Sequence, residues 1–168
     1  MARATDSRIR FHDLLDTSRA AASSLLEDAR AGLGEPPRTL SPKHFYDQRG
    51  SELFDRICQQ PEYYPTRTEE AILEAALPDI TERVGRETTL IELGSGASRK
   101  IRLLLDALRP SRYAGIDISR DFLIDSTERL AVDYPWLDVH AICADFTTPL
   151  TLPAELADSE RPVASAGW

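Results

Sequence analysis

The sequence predicts an α/β fold, with a parallel sheet over residues 86–168 that follows a helical segment over residues 1–85. Three runs of apolar and β-branched residues have the length of strands: TTLIEL at 88–93, YAGIDI at 113–118 and VHAICADF at 139–146. The stretches between them carry apolar residues at helical spacing. Strands that alternate with helices pair in parallel through right-handed crossovers, which predicts the fold class.

The first half of the chain is predicted to consist of helices separated by loops. Residues 1–16 are polar and mixed, and we expect them to be frayed or loosely docked. Apolar spacing predicts one helix over about 18–33, which Gly34 ends. It also predicts a short helix over about 51–60, after a loop that ends at Gly50.

A longer helix is predicted to follow the segment QPEYYP, in which two prolines exclude regular structure. Thr66 and Glu69 have the spacing of a capping box, so we expect the helix to begin there. Pro78 lies inside its apolar pattern and predicts a break or kink near Leu77. Gly85 is expected to close the helical half of the chain.

The second half continues with alternating helices and strands. Apolar spacing predicts a helix over about 98–108, and Ser119 is expected to cap the helix after the second strand. Residues 161–163 have the pattern of the entrance to a fourth strand, so the sheet is expected to hold three to four strands. The final residues, ASAGW, do not resemble a continuation of that strand.

Composition limits the partners of this chain. It has 168 residues and a net charge of -8, which disfavours a nucleic-acid or anionic-membrane partner. No apolar run has the length of a signal peptide or a membrane span. Cys58 and Cys143 are far apart and are expected to be buried thiols of a cytoplasmic protein. The three histidines have no ligand spacing, so we expect no metal site, and we expect a monomer.

The stretch TTLIELGSGASRK at 88–100 joins a strand, a tight turn and a helix N-terminus. Gly94 and Gly96 allow the backbone to turn sharply and to approach a ligand, and the helix behind them offers free N–H groups. A dinucleotide site has a third glycine where this chain has Arg99. The carboxylate of Glu92 suits a cationic or amino-acid-like ligand better than a pyrophosphate. The alternative is a structural turn without a ligand.

Acidic residues at the next two strand ends extend this interpretation. Asp117 ends the second strand, where α/β cofactor folds place the carboxylate that binds two ribose hydroxyls, although it could instead cap the next helix. Asp145 and Phe146 end the third strand and could contact an adenine, or form a simple turn. Together with Glu92 they favour S-adenosylmethionine, which carries a sulfonium in place of phosphates, over a nicotinamide cofactor.

Several segments together resemble a known family. FYDQRGSELFDRICQQPEYYPTRTE and IELGSGASRK, followed by GIDIS and ADF, are similar to the histidine-specific, S-adenosylmethionine-dependent methyltransferases, the L-histidine Nα-methyltransferases of ergothioneine biosynthesis. The resemblance runs from about residue 30 to about residue 162, and PEYYPTRTE is its most specific part. It implies a Rossmann-like class I methyltransferase sheet, and three successive methyl transfers to the α-amino group of histidine, giving hercynine.

The resemblance also implies roles for individual residues, but no catalytic group and no metal ligand. It places five residues at S-adenosylmethionine and two tyrosines near the histidine substrate: Gly94, Lys100, Asp117, Asp145 and Phe146, then Tyr63 and Tyr46. On the residues alone, Lys100 would be a solvated helix lysine and Tyr63 could be core packing. A tyrosine held between two prolines is, however, a rigid donor for a carboxylate or an imidazole.

Family members are considerably longer than this chain and add a second domain that supplies much of the histidine pocket. The resemblance therefore implies a C-terminally truncated methyltransferase with most of the cofactor site, an incomplete substrate site and impaired activity. Two alternatives stay open. One is a class I methyltransferase that acts on another amino-acid-like substrate, and the other is a non-catalytic fragment that binds a partner through its open sheet edge.

Overall fold

The computed structural model describes residues 9–15, 20–45, 47–96, 99–147, 149–157 and 163–167. Within them, five parallel strands form one sheet in the order β1-β4-β3-β2-β5. The strands are β1 (Ile9–Asp13), β2 (Thr89–Leu93), β3 (Arg112–Asp117), β4 (Asp138–Cys143) and β5 (Val163–Gly167). The helices are α1 (Ala20–Leu33), α2 (Gln48–Cys58), α3 (Pro65–Val84), α4 (Arg99–Leu108) and α5 (Arg120–Asp133), with a 3-10 turn at Pro42–Phe45. The predicted α/β class with a parallel sheet is confirmed.

One edge of the sheet lies in a segment that the sequence did not mark as ordered. β1 pairs in parallel with β4, with Ile9 beside Val139. Ile9 and Phe11 also pack against a small buried cluster around Leu123. The expectation of a frayed segment over 1–16 is therefore wrong for its described part, and the sheet has more strands than the three to four predicted. A few alternating apolar side chains and one row of backbone hydrogen bonds suffice for an edge strand.

β5 forms the other edge, beside β2, with Val163 next to Thr89. Its small residues Ala164 and Ala166 pack on the main core. The predicted fourth strand is confirmed, but the expectation that ASAGW departs from it is wrong, because four of those five residues continue the strand. Parallel pairing uses backbone groups, so a run of small residues can pair as well as an apolar run.

α2 begins earlier than the sequence predicts. Asp47 is its N-cap, and Asp47 Oδ1 accepts a hydrogen bond from the Gly50 N–H at 2.7 Å. The sequence predicts Gly50 in the preceding loop, but it lies in the first turn of the helix. A Cβ added there would lie 1.6 Å from the Phe45 carbonyl oxygen, so glycine is needed for close packing rather than for a turn.

α3 runs without a break over 20 residues. The prediction was a break or a kink near Leu77, and the break is wrong because the helix continues through Pro78, whereas the kink stays a prediction. Thr81 Oγ1 donates to the Leu77 carbonyl oxygen at 2.7 Å. The predicted capping box is also wrong, since the N-cap is Tyr64, without a side-chain bond, and Pro65 occupies the first turn. A proline there lacks only an N–H that would have no intrahelical partner.

The sheet is covered by helices on one face and by an irregular segment on the other. α3, α4 and α5 cover the first face, where the most buried side chains are Leu90, Ile101, Leu105, Leu108, Tyr113, Leu130 and Val139. On the second face, Ile91, Ile116 and Ile142 pack against Leu156 of the segment 149–157. None of the described helices combines the length and the apolar character that crossing a bilayer requires. The predicted division of the chain at residues 85 and 86 stays a prediction.

Two histidines that are 128 positions apart in the chain meet on the second sheet face. His12 Nε2 lies 3.1 Å from His140 Nδ1, and the two rings are coplanar within 2° with centres 5.4 Å apart. The ring centres are too far apart for face-to-face stacking, so the rings lie end to end and one ring nitrogen donates a hydrogen bond to the other. Glu155 completes a group whose ligand atoms lie within 4.8 Å of one another. The two histidine nitrogens point at each other rather than at a common centre, which favours a hydrogen bond between them over a metal ion.

We expect acid to destabilise this fold through His140. Burial lowers the pKa of His140 from its usual value of 6.5, and Asp138 opposes this only in part. As the pH falls through 6.5 the unfolded chain binds this proton and the folded chain does not. The stability is therefore present above that pH and is lost on acidification, by up to about 1.4 kcal/mol per pH unit. Urea unfolding from about pH 7.5 to pH 5.5 would measure it, and His140→Leu should give a shallower slope. Equal slopes in the two proteins would contradict the assignment.

Candidate functional site

A cavity of about 490 Å³ lies at the carboxyl ends of β2, β3 and β4, where α/β sheets bind their ligands. α2 and the start of α3 bound it on the other side. Its lining residues are Ser51, Phe54, Asp55, Cys58, Tyr63, Pro65, Thr66, Glu69, Glu92, Gly94, Ser95, Gly96, Lys100, Asp117, Ile118, Phe122, Ala144, Asp145, Phe146 and Thr147. Six of the seven site residues that the sequence predicts are therefore brought together, and Tyr46 lies outside the described residues.

The turn after β2 forms one wall of the cavity. Gly94 and Gly96 have φ angles of 72° and 46°, a left-handed region that favours glycine. The N–H groups of Gly94 and Ser95 both donate to the Ile116 carbonyl oxygen, at 2.9 Å and 3.2 Å. These bonds tie the turn to β3, so its shape is fixed by the neighbouring strand.

Asp117 holds two backbone segments at the centre of the cavity. Its Oδ2 accepts from the Gly96 N–H at 3.0 Å, and its Oδ1 accepts from the Ser119 N–H at 2.8 Å. Ser119 is the N-cap residue of α5 but makes no side-chain capping bond, so the predicted cap by Ser119 is replaced by the Asp117 carboxylate. A carboxylate has about four acceptor positions, so Asp117 can cap the helix and still accept from a ligand.

Asp145 and Phe146 follow β4, which ends at Cys143 rather than at Phe146 as predicted. Asp145 Oδ1 accepts from the Thr147 N–H at 2.9 Å and so shapes a turn. The Phe146 ring is 42% exposed and lies beside the glycine turn, where a Cβ added to Gly94 would be 3.7 Å from it. An exposed aromatic ring at the cavity wall offers a flat apolar surface to a planar ligand.

Buried polar groups lie beneath the glycine turn. Tyr113 Oη donates to Glu92 Oε2 at 2.5 Å, and both side chains are at most 1% exposed. Ser95 Oγ is buried and has no hydrogen-bond partner within the described part of the chain. Gly115 makes room for this group, because an added Cβ would lie 2.8 Å from Tyr113 Oη and 3.1 Å from the Ser95 side chain. Gly115 was not among the site residues predicted from the sequence, although a glycine inside a strand often marks such a close approach.

Tyr63 reaches the cavity from the turn between α2 and α3. Its ring meets the Phe54 ring edge to face, with centres 6.1 Å apart. Tyr64 is 68% exposed, so the two tyrosines are not a packed core pair. Arg67, which was also not predicted from the sequence, donates to three carbonyl oxygens of this turn, those of Gln60, Pro61 and Tyr63.

Lys100 lies against the cavity rather than in open solvent. Its side chain is 16% exposed, and its Nζ lies 2.8 Å from Glu69 Oε2. Cys58 also lines the cavity and is only partly buried, which corrects the expectation of two buried thiols. Cys143 is buried as expected, and burial raises the pKa of its thiol to about 11, so it is not a nucleophile at neutral pH.

The cavity is acidic. Its described lining carries one ammonium group, that of Lys100, against five carboxylates, those of Asp55, Glu69, Glu92, Asp117 and Asp145. Such a lining repels phosphate groups and attracts a cationic centre. A glycine turn that lets a ligand approach the backbone and an exposed aromatic ring suit a nucleoside.

A nucleoside that carries a cationic centre and no phosphate fits these residues, and S-adenosylmethionine combines an adenosine with a sulfonium and an amino acid. The fold and the cavity therefore define a Rossmann-like, S-adenosylmethionine-dependent methyltransferase domain. Residues 25–167 match the histidine-specific, S-adenosylmethionine-dependent methyltransferases. The chain belongs to that family.

Curated relatives agree with this assignment. The chain is 44% identical over 131 residues to the histidine N-alpha-methyltransferase of Mycolicibacterium smegmatis. This alignment covers 76% of this chain and 40% of the relative. It is 42% identical over 132 residues to the enzyme of the same name from Mycobacterium tuberculosis, over 76% of this chain and 41% of the relative. It is 35% identical to ergothioneine biosynthesis protein 1 of Neurospora crassa, over 66% of this chain and 14% of the relative. The chain thus spans about two-fifths of the length of the first two relatives.

Proposed function

We propose that this chain carries the cofactor half of an enzyme that methylates the α-amino group of L-histidine three times, with S-adenosylmethionine as the methyl donor. The observation that carries the proposal is that one cavity is lined both by the glycine turn and by Tyr63. The names of the relatives that are 44% and 42% identical to this chain, both histidine N-alpha-methyltransferases, support the substrate. The product would be hercynine, on the route to ergothioneine.

The cofactor would be held by residues at three consecutive strand ends. Asp117 would accept from the ribose hydroxyls through the acceptor positions that its bonds to the Gly96 and Ser119 N–H groups leave available. Asp145 and Phe146 would contact the adenine, and Gly94 would let the backbone approach the ligand. Lys100 would offer an ammonium group to the α-carboxylate of the ligand.

The substrate would lie on the side of the cavity formed by α2 and α3. Tyr63 would donate its hydroxyl to the histidine carboxylate or imidazole, and the Arg67 bonds to its turn hold it in place. Tyr46 is assigned to the same pocket on the family resemblance alone.

S-adenosylmethionine would supply an electrophilic methyl carbon. The neutral amine of the substrate would attack that carbon, so that an N–C bond forms as the C–S bond breaks and S-adenosylhomocysteine leaves. The first and second methylated products would each lose a proton to solvent before the next transfer. The task of the protein is to hold the amine about 3–3.5 Å from that carbon and in line with the leaving sulfur. No covalent enzyme intermediate is needed, and the buried Cys143 thiol is not activated. The lining carboxylates would favour the cationic ligand and disfavour phosphorylated ones.

The chain is shorter than its relatives, and we infer that methyl transfer needs residues that only the longer proteins contribute. The proposal for this chain is therefore cofactor binding with impaired turnover. We further propose a cytoplasmic monomer without a nucleic-acid or membrane partner, which the net charge of -8 and two free thiols support.

Titration calorimetry tests the cofactor proposal directly. We expect the chain to bind S-adenosylhomocysteine and not to bind NAD, whose pyrophosphate would face the acidic lining. Failure to bind S-adenosylhomocysteine at millimolar concentration would contradict the proposal and favour a non-catalytic fragment. Binding of NAD with similar affinity would contradict the charge argument.

A panel of amino acids tests the substrate. A longer protein that contains this sequence should methylate histidine and no other amino acid in the panel. Turnover of a different amino acid, with histidine inert, would favour the alternative that this is a class I methyltransferase for another amino-acid-like substrate.

A further inference from the structure

An ion pair joins the two helices that meet at the cavity. Lys100, in the first turn of α4, and Glu69, in the first turns of α3, are 31 positions apart, and their charged atoms lie 2.8 Å apart. Both line the cavity. The Lys100 side chain is 16% exposed, whereas the Glu69 side chain is 51% exposed. The ammonium is thus largely withdrawn from solvent and the carboxylate reaches it from the rim.

Lys100 has to provide the positive charge for an amino-acid ligand in an otherwise acidic cavity. An amino-acid ligand brings an α-carboxylate into a lining that has five carboxylates and, among its described residues, one ammonium group. That ammonium has to be in place, because the carboxylates around it would otherwise repel the α-carboxylate. A lysine has a flexible four-carbon stem and samples many positions unless a partner restrains it.

We propose that Glu69 is a positioning residue for the amino-acid portion of the cofactor and that it acts through Lys100. Glu69 holds the Lys100 ammonium at the cavity wall, where the ammonium meets the α-carboxylate of the ligand. This inference rests on the proposed function, since it assumes that the cavity binds S-adenosylmethionine. It adds a residue of α3, the helix that follows Tyr63, to the machinery that binds the cofactor.

A purely structural reading of the same pair is that it ties α3 to α4. In that case the loss of the ion pair would disturb the whole cavity and weaken the binding of every ligand by the same factor. The two readings differ for 5′-methylthioadenosine, which has the adenosine and the thioether of S-adenosylhomocysteine but lacks the amino-acid portion. Only a positioning role for Glu69 predicts that its loss weakens S-adenosylhomocysteine binding but not 5′-methylthioadenosine binding.

The experiment compares Glu69→Gln with Glu74→Gln by calorimetry on the full chain, with S-adenosylhomocysteine and 5′-methylthioadenosine as probes. Glu74 is an exposed residue of the same helix that does not line the cavity. We expect Glu69→Gln to weaken the binding of S-adenosylhomocysteine by about threefold to fivefold, the upper part of the range for a partly exposed ion pair, and to leave the affinity for 5′-methylthioadenosine unchanged. Glu74→Gln should change neither affinity.

A double-mutant cycle tests the route through Lys100. Glu69→Gln should have no further effect in a Lys100→Met background, because the group that it positions is then gone. An unchanged affinity of Glu69→Gln for S-adenosylhomocysteine would overturn the inference, and so would an equal loss for both probes or an additive effect with Lys100→Met. If the wild-type chain bound no S-adenosylhomocysteine, the proposed function itself would fail, and the Glu69 assignment with it.

Discussion

Asp117→Asn is expected to weaken S-adenosylhomocysteine binding by about 10-fold to 100-fold, the worth of one or two hydrogen bonds to a charged group. Each carboxylate oxygen of Asp117 accepts from one backbone N–H, those of Gly96 and Ser119. Asparagine has the same shape but one acceptor oxygen, and its amide would face one of those N–H donors. Calorimetry with S-adenosylhomocysteine measures the loss in affinity, because the ribose hydroxyls would have one acceptor oxygen in this variant instead of two.

Asp121→Asn provides the control for this result. Asp121 lies in the first turn of α5, four residues from Asp117, and is exposed without lining the cavity. Its substitution should leave ligand affinity unchanged. Both variants should first be shown to be folded by thermal unfolding, since Asp117 also fixes backbone. Equal affinities of the two folded variants would refute the assignment of Asp117 to the ligand.

The cofactor side of the cavity was predictable because its signals are local. Gly94 and Gly96 follow a buried strand directly, and Asp117 and Asp145 lie at or just after the ends of the next two strands. Parallel strands bring their carboxyl ends to one edge, so residues at successive strand ends converge without any knowledge of side-chain packing. The family resemblance then added Lys100 and Tyr63, which periodicity alone would have left as a solvated lysine and a packed tyrosine.

The remaining features depend on contacts between distant parts of the chain. β1 joins the sheet by pairing with β4, and the register of this pairing brings His12 next to His140. No pattern within either segment carries this information. The ion pair of Glu69 with Lys100 also joins residues that are far apart in the chain. The local sequence predicted a different role for Glu69, in a capping box, because Thr66 lies three residues before it.

The glycines also show that packing contacts cannot be predicted from the sequence. The sequence assigns glycine to turns, which holds for Gly94 and Gly96 with their positive φ angles. Gly50 and Gly115 have a different reason, since each lies where another group of the protein occupies the space of a Cβ. A sequence shows that a glycine is present but not whether its backbone or its missing side chain is what the fold requires.

Gly115→Ala is expected to lower both stability and ligand affinity. The added methyl group would lie 2.8 Å from Tyr113 Oη and 3.1 Å from the Ser95 side chain. Tyr113 cannot easily yield, because it is fully buried and bonded to the buried Glu92. We expect a loss of about 1–3 kcal/mol in the free energy of unfolding, as for other overpacked sites. Ser95 is the more movable neighbour, and its shift would displace the glycine turn and weaken S-adenosylhomocysteine by about tenfold.

Gly85→Ala separates the two effects. Gly85 has φ 77° and ψ -177°, a region that essentially only glycine adopts, and a Cβ there would meet nothing within 4 Å. The same substitution should therefore cost about 1–3 kcal/mol of stability through backbone strain. Gly85 precedes the amino end of β2, away from the cavity, so ligand affinity should not change. Urea unfolding and calorimetry on both variants would measure the two quantities. Equal affinities of the two variants for S-adenosylhomocysteine would mean that the loss of affinity follows from lower stability alone. The position of Ser95 over Gly115 would then have no part in ligand binding.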